Sequence, residues 1–383
     1  MKILHIANFY GPKSGGIKTT IHDLGKRYEK AGHEFTFVVP GINLSKTKTP
    51  YGTALYLPSV EIPFSGGYRI FRRRREIKQA IVVMKPDRIE CSDRFTLLFI
   101  GPFARRMGIQ TLVFSHETLT GLFSKFLPAQ KTFQRIADWH NRRLAKAFDF
   151  VIATTRFASK EFERLSTANL RLIPLGVDSS TFNPKRYKSE LRKKLLNGKE
   201  HLIVHCGRLS PEKDPHLSIE ALEILTRQMG VSAQLVVIGG GPLSEKLKSH
   251  SAHLPVSFTG YIANVELIAD IFSVADVSLA PGPLETFCLS ALESLSSGTP
   301  VVANSRSAVG EFLEEKSSNP CGATASDSYE FALKIKAILE GKSLRKAARA
   351  KALEFTWEKT MNNLLTLHNT PKVEVAQAAS VVH

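Results

Sequence analysis

The chain has 383 residues, 43% of them hydrophobic and 23% charged; this is enough for two folded domains, and the absence of any apolar run of about eighteen residues excludes a spanning helix. Lys and Arg number 52 against 35 Asp and Glu, a formal charge of +17, so an anionic partner is expected: nucleic acid, anionic lipid or a phosphorylated substrate. Cys91, Cys206, Cys288 and Cys321 form no C-x-x-C pair and keep no metal-like spacing to histidine, which argues against a zinc site or a disulfide framework. The opening Met1–Ala7 runs directly into polar residues without a secretory apolar core, so the protein is expected in the cytoplasm.

In chain order, Lys2–Ala7 reads as a strand, Asn8–Gly16 as a loop and about Ile17 to Lys30 as a helix. Glu34–Val39, Thr111–Phe114 and Phe150–Ala153 read as further strands. The stretch from Pro174 to Asp178, continuing to Asn183-Pro184, lacks periodicity and reads as a linker. The pattern then begins again, with a strand at His201–Cys206, a loop at Gly207–Pro215 and a helix from about Leu217 to Met229. Gln234–Ile238, Val256–Phe258, Val277–Leu279 and Pro300–Ala303 are later strands, and a helical stretch from about Tyr329 to His368 closes the pattern. Strand–helix alternation predicts two successive α/β units with parallel sheets. Their expected limits are residues 1–178 and 179–360, with 361–383 forming the end of the last helix and a disordered tail.

Two motifs carry chemistry. Gly207-Arg208-Leu209-Ser210-Pro211-Glu212-Lys213-Asp214 follows a predicted strand directly, the place where doubly wound sheets bind ligands. Arg208 offers a planar fork of donors and Lys213 a point charge, and both could reach a diphosphate. A solvated basic loop ahead of a capped helix fits the local sequence equally well. In the second motif, Glu285 and Glu293 flank seven residues, and an apolar helix is expected to start near Phe287. A carboxylate on a buried helix needs partners; sugar and ribose hydroxyls would serve, as would a nearby Arg or Lys. The free N–H groups of the helix start suit a phosphate.

These motifs resemble the G-R-L-x-x-x-K-[GD] loop and the E-x7-E motif of the retaining GT-B glycosyltransferases of the family 4 type, in the right order and followed by Gly298-Thr299-Pro300-Val301-Val302. Gly15-Gly16-Ile17, Gly32-His33-Glu34, Ile173–Asp178, Gly239–Pro242 and Phe258–Tyr261 match as well, so the resemblance covers nearly all of the chain to about residue 360. Glu90–Arg94, Ser115-His116-Glu117, Asn141–Ala145 and Ala280–Phe287 further resemble the actinobacterial GDP-mannose-dependent α-mannosyltransferases of glycolipid assembly.

The resemblance implies two Rossmann-like doubly wound domains facing a cleft, with the C-terminal helix crossing back to the first domain. It implies that Arg208 and Lys213 neutralise the donor diphosphate, Glu285 holds the sugar hydroxyls and Glu293 the ribose. Gly16, with Gly15 beside it, would let the backbone approach the phosphate, and His116 would contact the transferred sugar. Thr286, Phe287, Cys288 and Leu289 would line the diphosphate, and Gly260 and Tyr261 the base. Cys288 departs from the family pattern, which has Gly there. With no D-x-D triplet and two cations at the diphosphate, neither a metal nor another cofactor is expected; the nucleotide sugar is a substrate.

On a helical projection of the segment before Phe148, Lys131, Arg135, Trp139, Arg142 and Lys146 fall on one stripe, with Phe133, Ile136, His140 and Leu144 on the opposite one, expected to be core. A Trp among cations suits an anionic membrane surface; packing of the Trp on a neighbouring loop is the alternative. Four consecutive arginines, Arg72 to Arg75, fit a solvated helix face or the same surface. The expected partners are therefore a nucleotide-sugar donor, a glycolipid or glycan acceptor and the inner face of the cell membrane. A UDP-glucose or UDP-N-acetylglucosamine transferase, a phosphorylase or an epimerase are alternatives on the same fold. A non-catalytic nucleic-acid-binding protein is disfavoured, because no nucleic-acid module or aromatic platform accompanies the charge.

Overall fold

The computed structural model of the protein describes residues 1–11, 15–63, 65, 67–119, 130–313 and 317–370. The expected tail beyond Pro371 lies outside the described residues. The first domain is built on β1 (Lys2–Ile6), β2 (Glu34–Gly41), β3 (Ser45–Thr49), β4 (Gly52–Glu61), β5 (Arg69–Phe71), β6 (Arg88–Cys91), β7 (Gln110–Ser115), β8 (Phe150–Ala153) and β9 (Leu170–Leu172). Among the described residues the sheet order is β3-β4-β2-β1-β6-β7-β8-β9, with β5 on β4. All pairings are parallel except those of β3 and β5 to β4.

The second domain carries β10 (His201–Cys206), β11 (Ala233–Ile238), β12 (Val256–Gly260), β13 (Val277–Ala280), β14 (Val301–Asn304) and β15 (Gly322–Ala325). The order is β12-β11-β10-β13-β14-β15, parallel throughout. Counted from β10 this is 3-2-1-4-5-6, the dinucleotide-fold order, whose crevice opens beyond the carboxyl ends of β10 and β13, where the winding direction reverses. β7, β8, β11, β13 and β14 are buried along their whole length, as expected of parallel strands covered by helices on both faces.

Three sequence expectations need correction. The stretch from Tyr329 to His368 is three helices, Ser328–Glu340, Arg345–Ala352 and Trp357–Asn369. Gly341 ends the first, and the Thr356 side chain caps the last by accepting from the Lys359 N–H. The helix expected from Leu217 to Met229 is Pro215–Glu223 followed by a π turn, Ile224–Gln228. The helix carrying Glu293 starts at Leu289 rather than near Phe287.

The chain crosses between the domains twice, side by side. Val177 donates its N–H to Phe355 O at 3.0 Å, and Gly176 lies so close that a Cβ there would meet the Trp357 N at 2.2 Å. The helix Trp357–Asn369 then packs on the first domain. Thr360 Oγ1 donates to Pro174 O at 2.8 Å, Arg88 Nε to His368 O at 2.8 Å and Gln110 Nε2 to Thr370 O at 3.0 Å. The Arg27 guanidinium sits 5.1 Å from the Trp357 ring.

Candidate active site

The second-domain wall of the cleft is the pair of loops leaving β10 and β13. Gly207 to Leu209 is strapped to the exit of β11: Gly207 N donates to Ile238 O at 3.0 Å and Leu209 N to Gly240 O at 3.1 Å. Glycine is required here, because a Cβ on Gly239 would meet Gly207 O at 1.9 Å and one on Gly241 would meet Leu209 O at 2.3 Å. The loop so placed brings Lys213 Nζ to 2.6 Å from Glu285 Oε1. Burial works against the Lys213 ammonium, yet the Glu285 carboxylate holds it above the usual lysine range.

Cys288 precedes the helix Leu289–Ser296 in the left-handed region, φ +64°; this turn sets the later helix start. Ala291 N and Leu292 N already donate to Cys288 O, so Leu289 and Ser290 supply the free N–H groups of the first turn. The Phe287 side chain is spent in the core, 5.4 Å from Phe312 and 6.4 Å from Phe355 between ring centres. Glu293 is partly exposed by area, yet it sits deep enough between the domains that burial, reinforced by the Asp23 carboxylate, raises its carboxyl to about 8. Among the described residues it forms no ion pair; the salt bridge weighed as the alternative role of this motif is made by Glu285 instead, to Lys213.

On the first-domain wall, Gly15 and Gly16 begin the helix Gly16–Lys30, and a Cβ on either would meet nothing within 4 Å. Among the described residues, nothing therefore crowds the backbone at that helix start. His116 follows β7, stacked on Phe114 at 5.6 Å and 9°. Burial and the neighbouring His5 pull its imidazole down to about 3, so it is neutral at physiological pH. The stretches around Arg94, Ser115 and Asn141, far apart in sequence, meet at one guanidinium. Arg94 donates to Ser115 Oγ (2.9 Å), Glu117 O (2.6 Å), Glu161 Oε1 (2.5 Å) and Asn141 Oδ1.

Side chains also bridge the cleft. Thr286 Oγ1 donates to His116 O, and Thr155 Oγ1 to Thr286 O at 2.8 Å. The Arg208 guanidinium donates to Ser65 O and lies 4.3 Å from the Tyr68 ring. Arg208, Lys213, Glu285, Thr286 and His116 thus line one interdomain crevice, with Arg208 and Thr286 engaged by the first domain. Gly260 lies across from Gly239, which donates its N–H to Gly260 O at 2.9 Å; Tyr261 beside it is 44% exposed.

Residues 14–181 match the model of Glycosyltransferase Family 4, and residues 187–355 that of Glycosyl transferases group 1. A Mycobacterium tuberculosis protein described as a GDP-mannose-dependent alpha-(1-6)-phosphatidylinositol dimannoside mannosyltransferase is 38% identical over 366 residues, 95% of each chain. The chain belongs to the GT-B glycosyltransferases of the family 4 type. A plant relative, the sulfoquinovosyl transferase of Arabidopsis thaliana, is 29% identical over 72% of this glycosyltransferase and 55% of its own length. Among solved structures, sucrose-phosphate synthase of Thermosynechococcus elongatus superposes with a TM-score of 0.75 at 20% identity, covering 96% of this chain and 98% of its own. Anabaena Alr3699/HepE in complex with UDP-glucose does so with 0.75 at 18%, covering 96% and 99%. At such identities these two show the shared fold.

The basic stripe of the glycosyltransferase lies on the helix Gln130–Ala147. Arg135, Trp139, Arg142 and Lys146 are exposed, and the Arg143 guanidinium sits 4.6 Å from the Trp139 ring. The Lys131 side chain lies outside the described residues. Ile136, expected in the core, is 47% exposed, whereas Leu144 is buried as expected; the buried line runs through Ala137, Asn141 and Leu144, with Asn141 Oδ1 accepting from Arg94. No helix among the described residues is long and apolar enough to cross a membrane. Sequence reasoning did not single out His5, Tyr28 and His368, which gather around Glu90 in the first domain, or Ser92 as a link to His116. The available signal was a polar side chain flanked by apolar neighbours, His5 between Leu4 and Ile6 on β1 and Glu90 between Ile89 and Cys91 on β6, since buried polar groups demand partners.

Proposed function

We propose that this glycosyltransferase moves α-mannose from GDP-mannose, with retention of configuration, to a membrane glycolipid or related glycan. The observation that carries the reading is the 38% identity, over 95% of both chains, to the mycobacterial mannosyltransferase. Arg208 and Lys213 neutralise the diphosphate as the bond to the anomeric carbon breaks, and the free N–H groups at Leu289 and Ser290 share that charge. Glu285 accepts from the sugar hydroxyls, Glu293 from the ribose, and the neutral His116 contacts the transferred sugar. Gly260 and Tyr261 flank the base. The acceptor attacks on the face from which the diphosphate leaves, and a diphosphate oxygen takes its proton. With two cations on the leaving group, turnover is independent of added metal and persists in chelator.

Transfer of radiolabelled mannose from GDP-mannose to a phosphatidylinositol mannoside, in EDTA, tests the reading. UDP-glucose and UDP-N-acetylglucosamine serve as competing donors. Glu285→Ala is expected to lower kcat by about 10²-fold or more and to lower Tm modestly, because Lys213 loses its carboxylate partner. Near-normal turnover of that variant would remove Glu285 from the site. A second reading, a UDP-glucose transferase, draws on the UDP-glucose bound by the Anabaena fold relative; selective transfer of glucose would favour it.

A further inference from the structure

A chain of buried polar groups runs from the crossing helix to His116. Glu90 of β6 is fully buried and accepts from three donors. These are Tyr28 Oη at 2.6 Å, His368 Nε2 at 2.9 Å and His5 Nδ1 at 2.8 Å. The other nitrogen of His5 lies 2.8 Å from Ser92 Oγ, and Ser92 Oγ lies 2.9 Å from His116 Nε2. Resting on the reading that places His116 beside the transferred sugar, we propose that Ser92, His5 and Glu90 are positioning residues for the transfer, which lock the His116 ring and leave its proton on Nδ1, offered to the cleft as a donor.

The direction of the chain follows from charge and partner counting. A serine hydroxyl has one proton, so between two imidazoles it donates to one and accepts from the other. The Glu90 carboxylate, with no Lys or Arg paired to it among the described residues, needs a balancing proton because an isolated buried charge is costly. His368 is a poor carrier: its Nδ1 is buried without a partner, so a proton there would be an unsatisfied donor. His5 has partners for both nitrogens and takes it. Its Nε2–H then donates to Ser92 Oγ, Ser92 donates to His116 Nε2, and the neutral His116 holds its proton on Nδ1. Burial, with His5 beside it, lowers the affinity of His116 for a second proton, so the ring carries one. Thr286 holds the His116 carbonyl from the second domain, so ring and backbone of this residue are both fixed.

Long-range 1H–15N spectra of 15N-histidine-labelled full-length protein, with His116 assigned through His116→Gln, test the proposal. Protonated Nδ1 and unprotonated Nε2 at His116 are expected in the wild type. Ser92→Ala and Glu90→Gln should move the signal toward the other tautomer, and Ser92→Ala should lower kcat about tenfold while the donor KM stays within about twofold. Protonated Nε2 in the wild-type spectrum overturns the proposal, whether or not the variants fold. So does an unchanged His116 spectrum in folded Ser92→Ala. Full turnover by His116→Gln would instead overturn the placing of His116 at the sugar, an outcome the spectrum distinguishes.

Discussion

At Glu293, burial and the Asp23 carboxylate both favour the protonated form, giving a carboxyl near 8 before donor binds. Ribose hydroxyls would donate to the ionised form and lower that value, so binding would release a proton. Linkage then makes affinity rise with pH up to about 8 and level off above it. Calorimetry with GDP-mannose between pH 6 and 8 checks this, since its diphosphate does not titrate in the range; Glu293→Gln should flatten the profile, and a falling affinity would mean that Glu293 binds in its protonated form. Cys288 poses a different problem. At φ +64° a residue with a Cβ pays about 1–2 kcal/mol, whereas glycine adopts the angle freely and loses about 0.4–1 kcal/mol in extra chain entropy. Cys288→Gly is therefore expected to raise unfolding stability by about 0.5–1 kcal/mol, read from the urea midpoint. A decrease would show that the Sγ packing beside Ser290, 3.5 Å away, outweighs the strain.

Among the loops and helices, two glycine-bearing turns separate fold from function. A methyl on Gly16 meets nothing, so Gly16→Ala should leave Tm unchanged and weaken nucleotide-sugar binding, by about tenfold if a phosphate approaches that helix start. A methyl on Gly239 drives into Gly207 O, at a φ of +132°, so Gly239→Ala should cost about 2 kcal/mol or more and displace the Arg208 loop. Equal donor affinity in Gly16→Ala and the wild type would move the phosphate elsewhere. Strand legibility followed the same logic of burial. β8 and β10 coincide with the expected Phe150–Ala153 and His201–Cys206, because apolar strands flanked on both sides in a parallel sheet carry their own signal. β3 is Ser-Lys-Thr-Lys-Thr and mostly exposed; only its pairing with β4 makes it a strand, and its lysines protect a sheet edge. β15, Gly-Ala-Thr-Ala, has too little β-branched character to announce itself.

For the molecule as a whole, the +17 charge and the exposed Arg135, Trp139, Arg142 and Lys146 support docking on an anionic surface. Sedimentation with vesicles containing phosphatidylserine should show binding that weakens steeply between about 0.05 and 0.3 M salt, as screening shortens the reach of these charges. Trp139→Ala combined with Arg135→Glu should reduce vesicle binding without altering donor affinity. Equal loss of both would indicate misfolding. The same basic surface is compatible with nucleic acid, and an absence of RNA or DNA binding at physiological salt would separate the two partners.

The two motifs were legible as patterns because they are local: Arg208 and Lys213 lie on one loop, and Glu285 and Glu293 are eight positions apart; their joint use at a donor is implied by the family resemblance, since a solvated basic loop fits the local sequence equally well. The two-domain alternation was legible for the same reason, each βα unit being written in contiguous residues. What only the tertiary structure decided lies between distant segments. His5 and Glu90 are 85 positions apart and Tyr28 and His368 are 340 apart, and no periodicity in one chain encodes such a pairing. It forms because the first-domain sheet, the helix Gly16–Lys30 and the returning helix exclude water from one volume, in which buried polar groups are driven to find partners.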